Sequence, residues 1–397
     1  MKRLLLILTF CGLCCSSIYA QQSNSEIPHA TKLGRKVKTV SRVNIILPQV
    51  NGLNCYKADF HIHTSYSDGQ VTPAARVKEA WKDGLDIVAI TDHYEGLLGV
   101  KRFFDVTTPY HEDTSIKYLT ARQANGIKVD FNAIHNEAEK LLEKSKYPML
   151  LIKGCEMGRN AKTHGHFNCL FLQNTNIVYD LDLAKAFCKV KEQGGFIIHN
   201  HPGWKRETTD KTEFHEKVYG EGLIDGIEVV NNKTFYPHMV RRCVDEKLTM
   251  FANTDIHGIS DAFTTAPSNI YRTMTLVFAK ELTEEAVKEA LLKDQTLAYL
   301  NGFVIGNIKL LSDFLNESVD CRVVEEDKEK GTRKYMLVNN TSIPYQLCAS
   351  NKKVVKLAPF KPAYITISGK DALDFVVRNM YHIDYQNPTI KIKIDKK

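Results

Sequence analysis

Several features that would indicate other classes of protein are missing from this sequence of 397 residues. Beyond residue 20, no apolar run approaches the roughly 20 residues that a membrane-spanning helix needs. No run of basic residues is interleaved with aromatic ones, so a nucleic-acid groove is not evident. No Gly-x-Ser-x-Gly motif suggests acyl-transfer catalysis. These absences favour a globular protein that acts on a small molecule.

Cysteine is present but is not arranged as a disulfide framework. Three of the ten cysteines lie within the first 15 residues, and the other seven are odd in number and form no C-x-x-C pair. Most of these seven fall in apolar strand or helix patterns, where a buried free thiol is the commoner outcome. One disulfide bond remains possible.

The amino terminus predicts export. Met1-Lys2-Arg3 precedes an apolar run from Leu4 to Cys15, and Ser-Ser-Ile-Tyr-Ala then predicts cleavage after Ala20. We therefore expect a signal peptide over 1–20, a periplasmic or secreted protein, and a polar leader over 21–42. The alternatives are an uncleaved anchor, for which the apolar run is short, and a lipid-modified cysteine.

Apolar runs alternating with helical patterns predict a distorted α/β barrel over residues 43–308. Thr72-Pro73 has the N-cap threonine and first-turn proline of a helix start, and that helix is expected to end at Asp83-Gly84. Residues 94–130 are irregular and predict a long insertion. Seven strands are expected, at 56–62, 86–91, 149–156, 166–172, 196–202, 225–231 and 248–255.

Beyond about residue 308 the pattern changes to alternation with a period of two, as in Arg333–Val338 and Ile390–Ile394. Turn residues separate these stretches. This alternation predicts a small antiparallel β-sandwich domain over 309–397.

Polar residues that can bind metals recur where the predicted barrel strands end. His61 and His63 are spaced so that both face one side of a strand, and Asp68 lies in a Ser-Asp-Gly turn shortly after them. Because the carboxyl ends of parallel strands converge on one face of a barrel, residues distant in sequence meet there. His166 precedes its strand, which therefore either runs antiparallel or leaves His166 on a loop.

This pattern resembles the PHP superfamily (polymerase and histidinol phosphatase). The resemblance covers about residues 56–300 and rests on motifs in that family's order, namely His61-x-His63, Ser67-Asp68-Gly69, Thr91-Asp92-His93, Glu156, His201-Pro202 and Asp255-x-His257. It implies a distorted (β/α)7 barrel with a trinuclear metal site.

The resemblance also implies a ligand set. A first metal would take His61, His63, Glu156 and Asp255; a second would share Glu156 and add His166 and His201; a third would take Asp68, His93 and His257. We expect Glu156, Asp255 and His201 to carry catalysis. Imidazole mixed with carboxylate suits three divalent ions of Zn, Mn or Fe and does not select among them.

Some assignments near these motifs stay open. His164 and His199 each lie two residues from a preferred ligand, His166 and His201 respectively. Asp59 and Asp92 are expected to orient ligand imidazoles, with turn capping as the alternative.

Cationic and aromatic residues after the strands could bind a phosphorylated substrate. Arg159 and Arg206 are the leading candidates, followed by Lys205 and Lys233; Trp204 is either a substrate platform or loop packing. Each cation could equally be a solvated surface charge.

Together these features predict an exported metal-dependent phosphoesterase acting on a small phosphorylated substrate. A hydroxide bridging two metals would attack phosphorus in line, and the third metal and cationic side chains would stabilise the phosphoryl oxygens. The domain arrangement resembles secreted bacterial phosphodiesterases of the superfamily, which favours a phosphodiester over a monoester. Alternative functions are a phosphomonoesterase, a non-catalytic metal-bound surface or carbohydrate-binding protein, and a metal amidase. Metal amidases commonly carry a carboxylated lysine on a strand, and Lys153 is a poor candidate for it. Oligomeric state cannot be derived from the sequence.

Overall fold

The computed structural model describes residues 42–94, 131–158, 161–260, 271–349, 353–368 and 373–394. The predicted signal peptide, nearly all of the predicted leader and nearly all of the predicted insertion at 94–130 lie outside these ranges. Within them, none of the helices combines the length and the apolar character needed to cross a bilayer. The seven described cysteines are free thiols.

The barrel is built from eleven strands in sequence before the carboxyl-terminal module. They are β1 Asn54–Asp59, β2 Ile87–Ile90, β3 Leu150–Gly158, β4 His166–Leu170, β5 Phe196–His199, β6 Gly226–Asn231, β7 Thr234–Phe235, β8 Thr249–Asn253, β9 Met274–Ala279, β10 Thr296–Leu300 and β11 Phe303–Ile305. All seven predicted strands are present. The fold is therefore the predicted α/β barrel.

The described residues include seven α-helices. They are α1 Pro73–Lys82, α2 Asn132–Ser145, α3 Leu183–Glu192, α4 Glu213–Gly220, α5 Pro237–Glu246, α6 Glu284–Leu292 and α7 Ile308–Ser318. The side chain of Thr72 accepts a hydrogen bond from the amide of Ala75, and Pro73 occupies the first turn, so α1 begins where the sequence predicts. Short 3-10 helices lie at Thr175–Ile177 and Ile383–Tyr385.

Strand direction in the central sheet determines which chain ends face the site. Strands β1, β2 and β3 are parallel, β4 is antiparallel to both β3 and β5, and β5, β6 and β8 are again parallel. On the other side of β1 the sheet continues through antiparallel β9 and β10 to β11. The result is a strongly curled sheet of mixed direction.

Contacts beyond the regular strands bring β8 back to the start of the barrel. The amide of Asp255 donates to the carbonyl of His61 at 2.9 Å, and the amide of His63 donates to the carbonyl of Ile256 at 3.1 Å. Near the middle of β8, the Thr275 hydroxyl bonds both the amide and the carbonyl of Ala252 at 2.9 Å. The segments that carry the predicted ligands are thus held together by backbone hydrogen bonds.

The carboxyl-terminal module contains two antiparallel sheets, as predicted. The strands of this module are β12 Val319–Asp327, β13 Thr332–Asn339, β14 Tyr345–Cys348, β15 Val354–Leu357, β16 Pro362–Ser368, β17 Asp374–Val377, β18 Met380–Tyr381 and β19 Thr389–Lys391. One sheet has the strand order β12-β13-β16, and the other has the order β15-β14-β17-β19. Both sheets contribute to one apolar cluster that also includes barrel residues.

Two features of this module were not predicted from the sequence. Helix α7 lies where alternation was expected to begin, and it buries Leu311, Phe314 and Leu315. Strand β18 leaves the module and pairs in parallel with β11 of the barrel sheet. The predicted domain boundary at residue 308 stays a prediction, because the apolar core is continuous across it.

Candidate metal centre

The nine predicted ligands meet at one end of the barrel. They lie at or just beyond the carboxyl ends of β1, β2, β3, β5 and β8, or at the amino end of β4. Their donor atoms form four overlapping, closely spaced groups: His63, Asp68, His93 and His257; His61, His63 and Glu156; His61, His201 and Asp255; and His93, Glu156 and His166. Six imidazoles and three carboxylates therefore converge. Their role as metal ligands stays a prediction.

The antiparallel direction of β4 explains the position of His166. Residue 166 is the first of β4, and its register partner is Gly158 at the carboxyl end of β3. The amino end of β4 therefore lies on the same face as the carboxyl ends of its neighbours. His166 Nδ1 lies 3.2 Å from Glu156 Oε1. Of the two possibilities that the sequence left open, the antiparallel strand is the one observed.

Glu156 lies at the middle of the cluster and is fully buried. Its Oε1 is 3.4 Å from Nε2 of both His61 and His201, and its Oε2 is 2.8 Å from Nδ1 of His93. Even so, Oε2 accepts no hydrogen bond. A buried carboxylate oxygen without a donor is costly unless a cation or another charged group compensates it.

Asp68 forms the second carboxylate of the cluster, on the side nearer solvent. Its Oδ1 is 3.2 Å from Nε2 of His257, and its Oδ2 is 3.5 Å from Nε2 of His93. His63 Nδ1 lies 3.6 Å from Asp68 Oδ1. The turn that holds Asp68 has no room for a side chain at its glycine, because a Cβ on Gly69 would lie 2.6 Å from the His63 carbonyl group.

Asp255 supplies the third carboxylate from a strained backbone position. Its φ is +52°, in the left-handed region, and His201 also has a positive φ of 25°. Asp255 Oδ1 lies 3.0 Å from His63 Nε2 and 3.2 Å from His61 Nε2. Such conformations cost roughly 1 to 3 kcal/mol each and concentrate at functional sites.

Charges within the cluster shift the pKa of Glu156 and of His93 toward their ionised forms, whereas the pKa values of His63 and His166 are lowered, chiefly by burial. Burial alone would raise the pKa of the Glu156 carboxyl, but the imidazoles of His93, His61 and His166 lower it well below its ordinary value. Burial would likewise lower the pKa of His93, yet Glu156 and Asp68 raise it well above the usual value. In the absence of metal, protons on the imidazoles thus balance the carboxylates.

Glu228 is a member of the site that sequence reasoning missed. It is fully buried in β6, and its Oε1 lies 2.8 Å from Nδ1 of His61 while its Oε2 accepts the His201 amide at 2.8 Å. The Nε2 atom of His61 is left facing Asp255 and Glu156. A charged residue inside the apolar strand Gly226–Asn231 was the signal that could have found it.

The expected roles of Asp59 and Asp92 require correction. Asp59 accepts bonds from the His61 and Thr254 amides and from Arg272, and it touches no imidazole. Asp92 bonds the amide and hydroxyl of Thr64 and the hydroxyl of Ser67. Both carboxylates hold the backbone and loops that carry the ligands, which matches the capping alternative.

Arg76 is a second residue that the sequence did not indicate. Its buried guanidinium donates to the carbonyls of His63 at 2.7 Å and His257 at 2.8 Å, and it pairs with Glu79 at 2.7 Å. The first turns of α1 thereby tie together two ligand segments that are distant in sequence.

His164 and His199 do not join the described cluster of donor atoms. His199 points to the opposite side of β5, where its Nδ1 is 2.8 Å from the Tyr219 hydroxyl and its ring lies against His215. His164 bonds the neighbouring Thr163 hydroxyl through Nδ1. This placement favours His166 and His201 as the ligands.

Of the predicted substrate contacts, Arg159 lies outside the described residues. Arg206 donates to the carbonyls of Pro202 and Asp210, so its guanidinium holds the shape of its own loop. Trp204 lies beside the cluster, with ring-centre distances of 5.0 Å to His166 and 5.3 Å to His201. Substrate binding by Arg206 stays a prediction.

The metal fits this site on two grounds. The donors are of the kinds that Zn, Mn and Fe accept, and the buried Oε2 of Glu156 accepts no well-directed hydrogen bond although His93 Nδ1 lies 2.8 Å away. Divalent ions are therefore the expected cofactors, while their number and identity stay predictions.

Comparison with known proteins gives the same assignment. The model of the PHP domain family matches residues 59–227, which include the ligands from His61 to His201 but not Asp255 or His257. An uncharacterised protein of Methanocaldococcus jannaschii is 28% identical over 187 residues, which cover 44% of this chain and 81% of that protein.

A crystal structure from Bacteroides vulgatus is similar to this protein over nearly the whole chain. It is a two-domain protein containing a predicted PHP-like metal-dependent phosphoesterase; it is 30% identical, has a TM-score of 0.72, and matches 88% of this chain and 98% of its own. Together with the family match and the geometry of the cluster, this likeness places the chain in the PHP superfamily, with the fold of a metal-dependent phosphoesterase.

Proposed function

We propose that the protein is an exported phosphodiesterase that works with three divalent metal ions. The observation that carries this proposal is the fully buried carboxylate of Glu156, which lies within 3.5 Å of five imidazoles at the centre of the cluster. A structural ion pair needs one imidazole beside a carboxylate, whereas a metal-binding site needs several donors around it.

The chain's own residues position the donors before any metal binds. Glu228 fixes the ring of His61, Arg76 fixes the carbonyls of two ligand segments, and Asp92 fixes the loop that leads to Asp68. Bound divalent ions would polarise the phosphoryl oxygens and supply an activated water for attack on phosphorus. Glu156, Asp255 and His201 would hold the ions on which this attack depends.

Within the proposal, the ligands divide into three sets. His61, His63, Glu156 and Asp255 would hold the first ion; Glu156, His166 and His201 the second; Asp68, His93 and His257 the third. The closely spaced donor groups differ in part, since they set His201 beside His61 and Asp255 and set His93 beside Glu156 and His166. The distances favour the third set most directly, since Asp68 lies within 3.5 Å of both of its imidazole partners. His63 lies close enough to Asp68 to serve either the first or the third ion.

The exported location rests on the predicted signal peptide, and the preference for a diester rests on resemblance and on that predicted location. The predicted signal peptide over 1–20 and the β-module after the barrel match the secreted phosphodiesterase branch named above. Amino-terminal sequencing of the protein expressed with its leader tests export. A mature chain starting at Gln21 supports it, whereas an intact Met1 in the cytoplasmic fraction contradicts it.

Turnover and metal content together test the reaction. The purified chain, loaded with Zn²⁺, Mn²⁺ or Fe²⁺, is assayed with bis(p-nitrophenyl) phosphate and with p-nitrophenyl phosphate. We expect the diester to be hydrolysed with the higher kcat/KM. A preference for the monoester would favour the phosphatase alternative, and no turnover at about three metals per chain would refute the phosphoesterase.

A pair of histidine variants separates the site from general folding. His61→Ala should lose both bound metal and activity, because its Nε2 faces the cluster. His135→Ala, on α2 and outside the donor groups, should keep both. A His61→Ala protein that binds no metal but stays active would show that the centre is not catalytic.

Two alternatives gain no support from the geometry. A degenerate, non-catalytic scaffold should have lost some donors, whereas all nine are in place. An amidase of the modified-lysine class would need a lysine at the centre, but the Lys153 ammonium donates to the carbonyl of Gln173 on an exposed face.

A further inference from the structure

A cavity of about 730 Å³ lies between the loop after His201-Pro202 and helix α5. None of the nine predicted ligands lines it. Its walls come from the loop on one side and from Tyr236 and the helix on the other, and they include Gly203, Arg206, Asp210, Arg242 and Asp245.

The cavity adjoins the metal centre through Gly203 and Tyr236. A Cβ on Gly203 would lie 2.8 Å from the Tyr236 ring, so the loop backbone packs directly on that ring. Burial, followed by the charges of Glu228 and Asp255, raises the pKa of Tyr236 to about 12. Tyr236 therefore lines the cavity and lies close enough to the site for its carboxylates to act on its hydroxyl group.

The charges in the cavity walls do not suit an anion. Three arginines are outnumbered by four carboxylates, Glu207, Asp210, Asp245 and Glu246. All three guanidiniums already donate within the chain, Arg206 to loop carbonyls, Arg241 to the carboxylate of Asp384 and Arg242 to the sulfur of Met239. A second phosphate would therefore meet four carboxylates and guanidiniums that are already engaged.

An apolar ligand fits no better, because it would strip water from charged walls without replacing the lost hydrogen bonds. A neutral ligand with many hydroxyl groups meets both requirements. Each hydroxyl can donate to a carboxylate and accept from a guanidinium. The lining therefore selects a polyhydroxylated molecule by its hydrogen-bonding capacity.

An aromatic pair flanks Asp384, the partner of the cavity residue Arg241. Arg241 lines the cavity and bonds Asp384, and the next residue, Tyr385, is 57% exposed. The ring of Tyr385 stacks on Tyr381 with centres 4.5 Å apart. Both Asp384 and Tyr385 have φ near +60°, a conformation that residues other than glycine rarely adopt. The ion pair with Arg241 thus holds a ring outward in a strained turn.

We propose that this cavity and the Tyr385 ring form a sugar subsite, so that the phosphodiester carries a sugar on one of its two alcohol groups. This inference rests on the proposed function for the identity of the reacting group. The hydroxyls bind among the carboxylates and arginines of the cavity. The apolar face of a sugar ring packs on Tyr385, since polarised C–H groups are attracted to the negative face of an aromatic ring.

Kinetics with matched substrates tests the subsite on the metal-loaded full chain. Methyl p-nitrophenyl phosphate is compared with glucosyl, galactosyl and N-acetylglucosaminyl p-nitrophenyl phosphates. At least one sugar ester should exceed the methyl ester in kcat/KM by about tenfold, as expected for hydrogen bonds to charged groups. Asp245→Ala and Tyr385→Ala should each reduce this ratio toward one. Glu317→Ala, an exposed carboxylate on α7, should leave it unchanged.

Binding without catalysis separates the two proposals. Saturation-transfer NMR with the methyl glycosides of the same three sugars should show binding to the chain that weakens in Asp245→Ala. Turnover without a sugar preference, together with no saturation transfer, would overturn the subsite and leave the phosphoesterase intact. A sugar preference that survives both substitutions would also overturn it. No turnover of any ester with metal bound would refute the phosphoesterase, and the saturation transfer alone would then decide the subsite.

Discussion

Glu228→Gln is the substitution that most directly tests how the metal centre is preorganised. Both carboxylate oxygens of Glu228 are buried, and each accepts two hydrogen bonds. His61 Nδ1 and Asn253 Nδ2 lie 2.8 and 3.0 Å from Oε1, and the His201 amide and Asn231 Nδ2 lie 2.8 and 2.9 Å from Oε2. Glutamine keeps one accepting oxygen and places an NH₂ group against the other two donors.

The expected magnitude follows from that count. Two buried donors lose their acceptor, and each costs about 1 to 3 kcal/mol, so the metal-free variant should be less stable by about 2 to 6 kcal/mol. If His61 is among the affected donors, its ring loses both orientation and basicity. Loss of such a supporting partner typically weakens metal binding about 10- to 100-fold.

Urea unfolding and metal titration against a competing chelator measure the two effects separately. Asp86→Asn is the matched control, because Asp86 is also buried and accepts from the Lys57 amide at 3.0 Å but contacts no predicted ligand. It should lower stability while leaving metal affinity unchanged. A Glu228→Gln protein that binds metal within about twofold of the wild type would refute the proposed role of Glu228.

Three further predictions follow from the same geometry. Glu156 raises the pKa of His93 in the folded chain above the ordinary value of about 6.5. The pair therefore stabilises the fold fully below pH about 6.5, and this stabilisation is lost as the pH rises through the raised pKa of His93. The urea midpoint of the chelator-treated chain should therefore fall at alkaline pH, and a rise would contradict the pairing. Gly69→Ala should destabilise the metal-free chain by about 1 to 3 kcal/mol and weaken metal binding, because its Cβ would overlap backbone atoms, whereas Gly220→Ala meets no atom within 4 Å and should be tolerated. Arg76→Gln should lower Tm and metal affinity together, since three carbonyls lose a charged donor; unchanged metal affinity would limit Arg76 to stability.

Local sequence patterns predicted the elements of the barrel because each depends on nearby residues. The Thr72-Pro73 start of α1 needs only a hydroxyl and a fixed φ. The i, i+2 spacing of His61 and His63 places both rings on one side of an extended chain. The direction of β4 was harder to predict from the sequence, because strand direction depends on which neighbours pair with the strand.

The supporting residues were harder to predict because their partners are distant in sequence. Glu228 stands 167 residues from His61, and Arg272 stands 213 residues from Asp59. Asp59 was wrongly expected to touch an imidazole, since adjacency in sequence does not tell which way a carboxylate points. Helix α7 was missed because its amphipathic pattern lies directly before the alternation of the β-module.

The sequence by itself determined the family of this protein and the chemistry of its donors, since the motifs carry residue types whose affinity for metals does not depend on the fold. Only the tertiary structure decided how those donors meet. It placed His166 on an antiparallel strand, set His199 against Tyr219 and His215, and brought Glu156 within 3.5 Å of five imidazoles. The physical reason is that strand pairing and side-chain direction result from contacts between distant segments, which no single stretch of sequence contains.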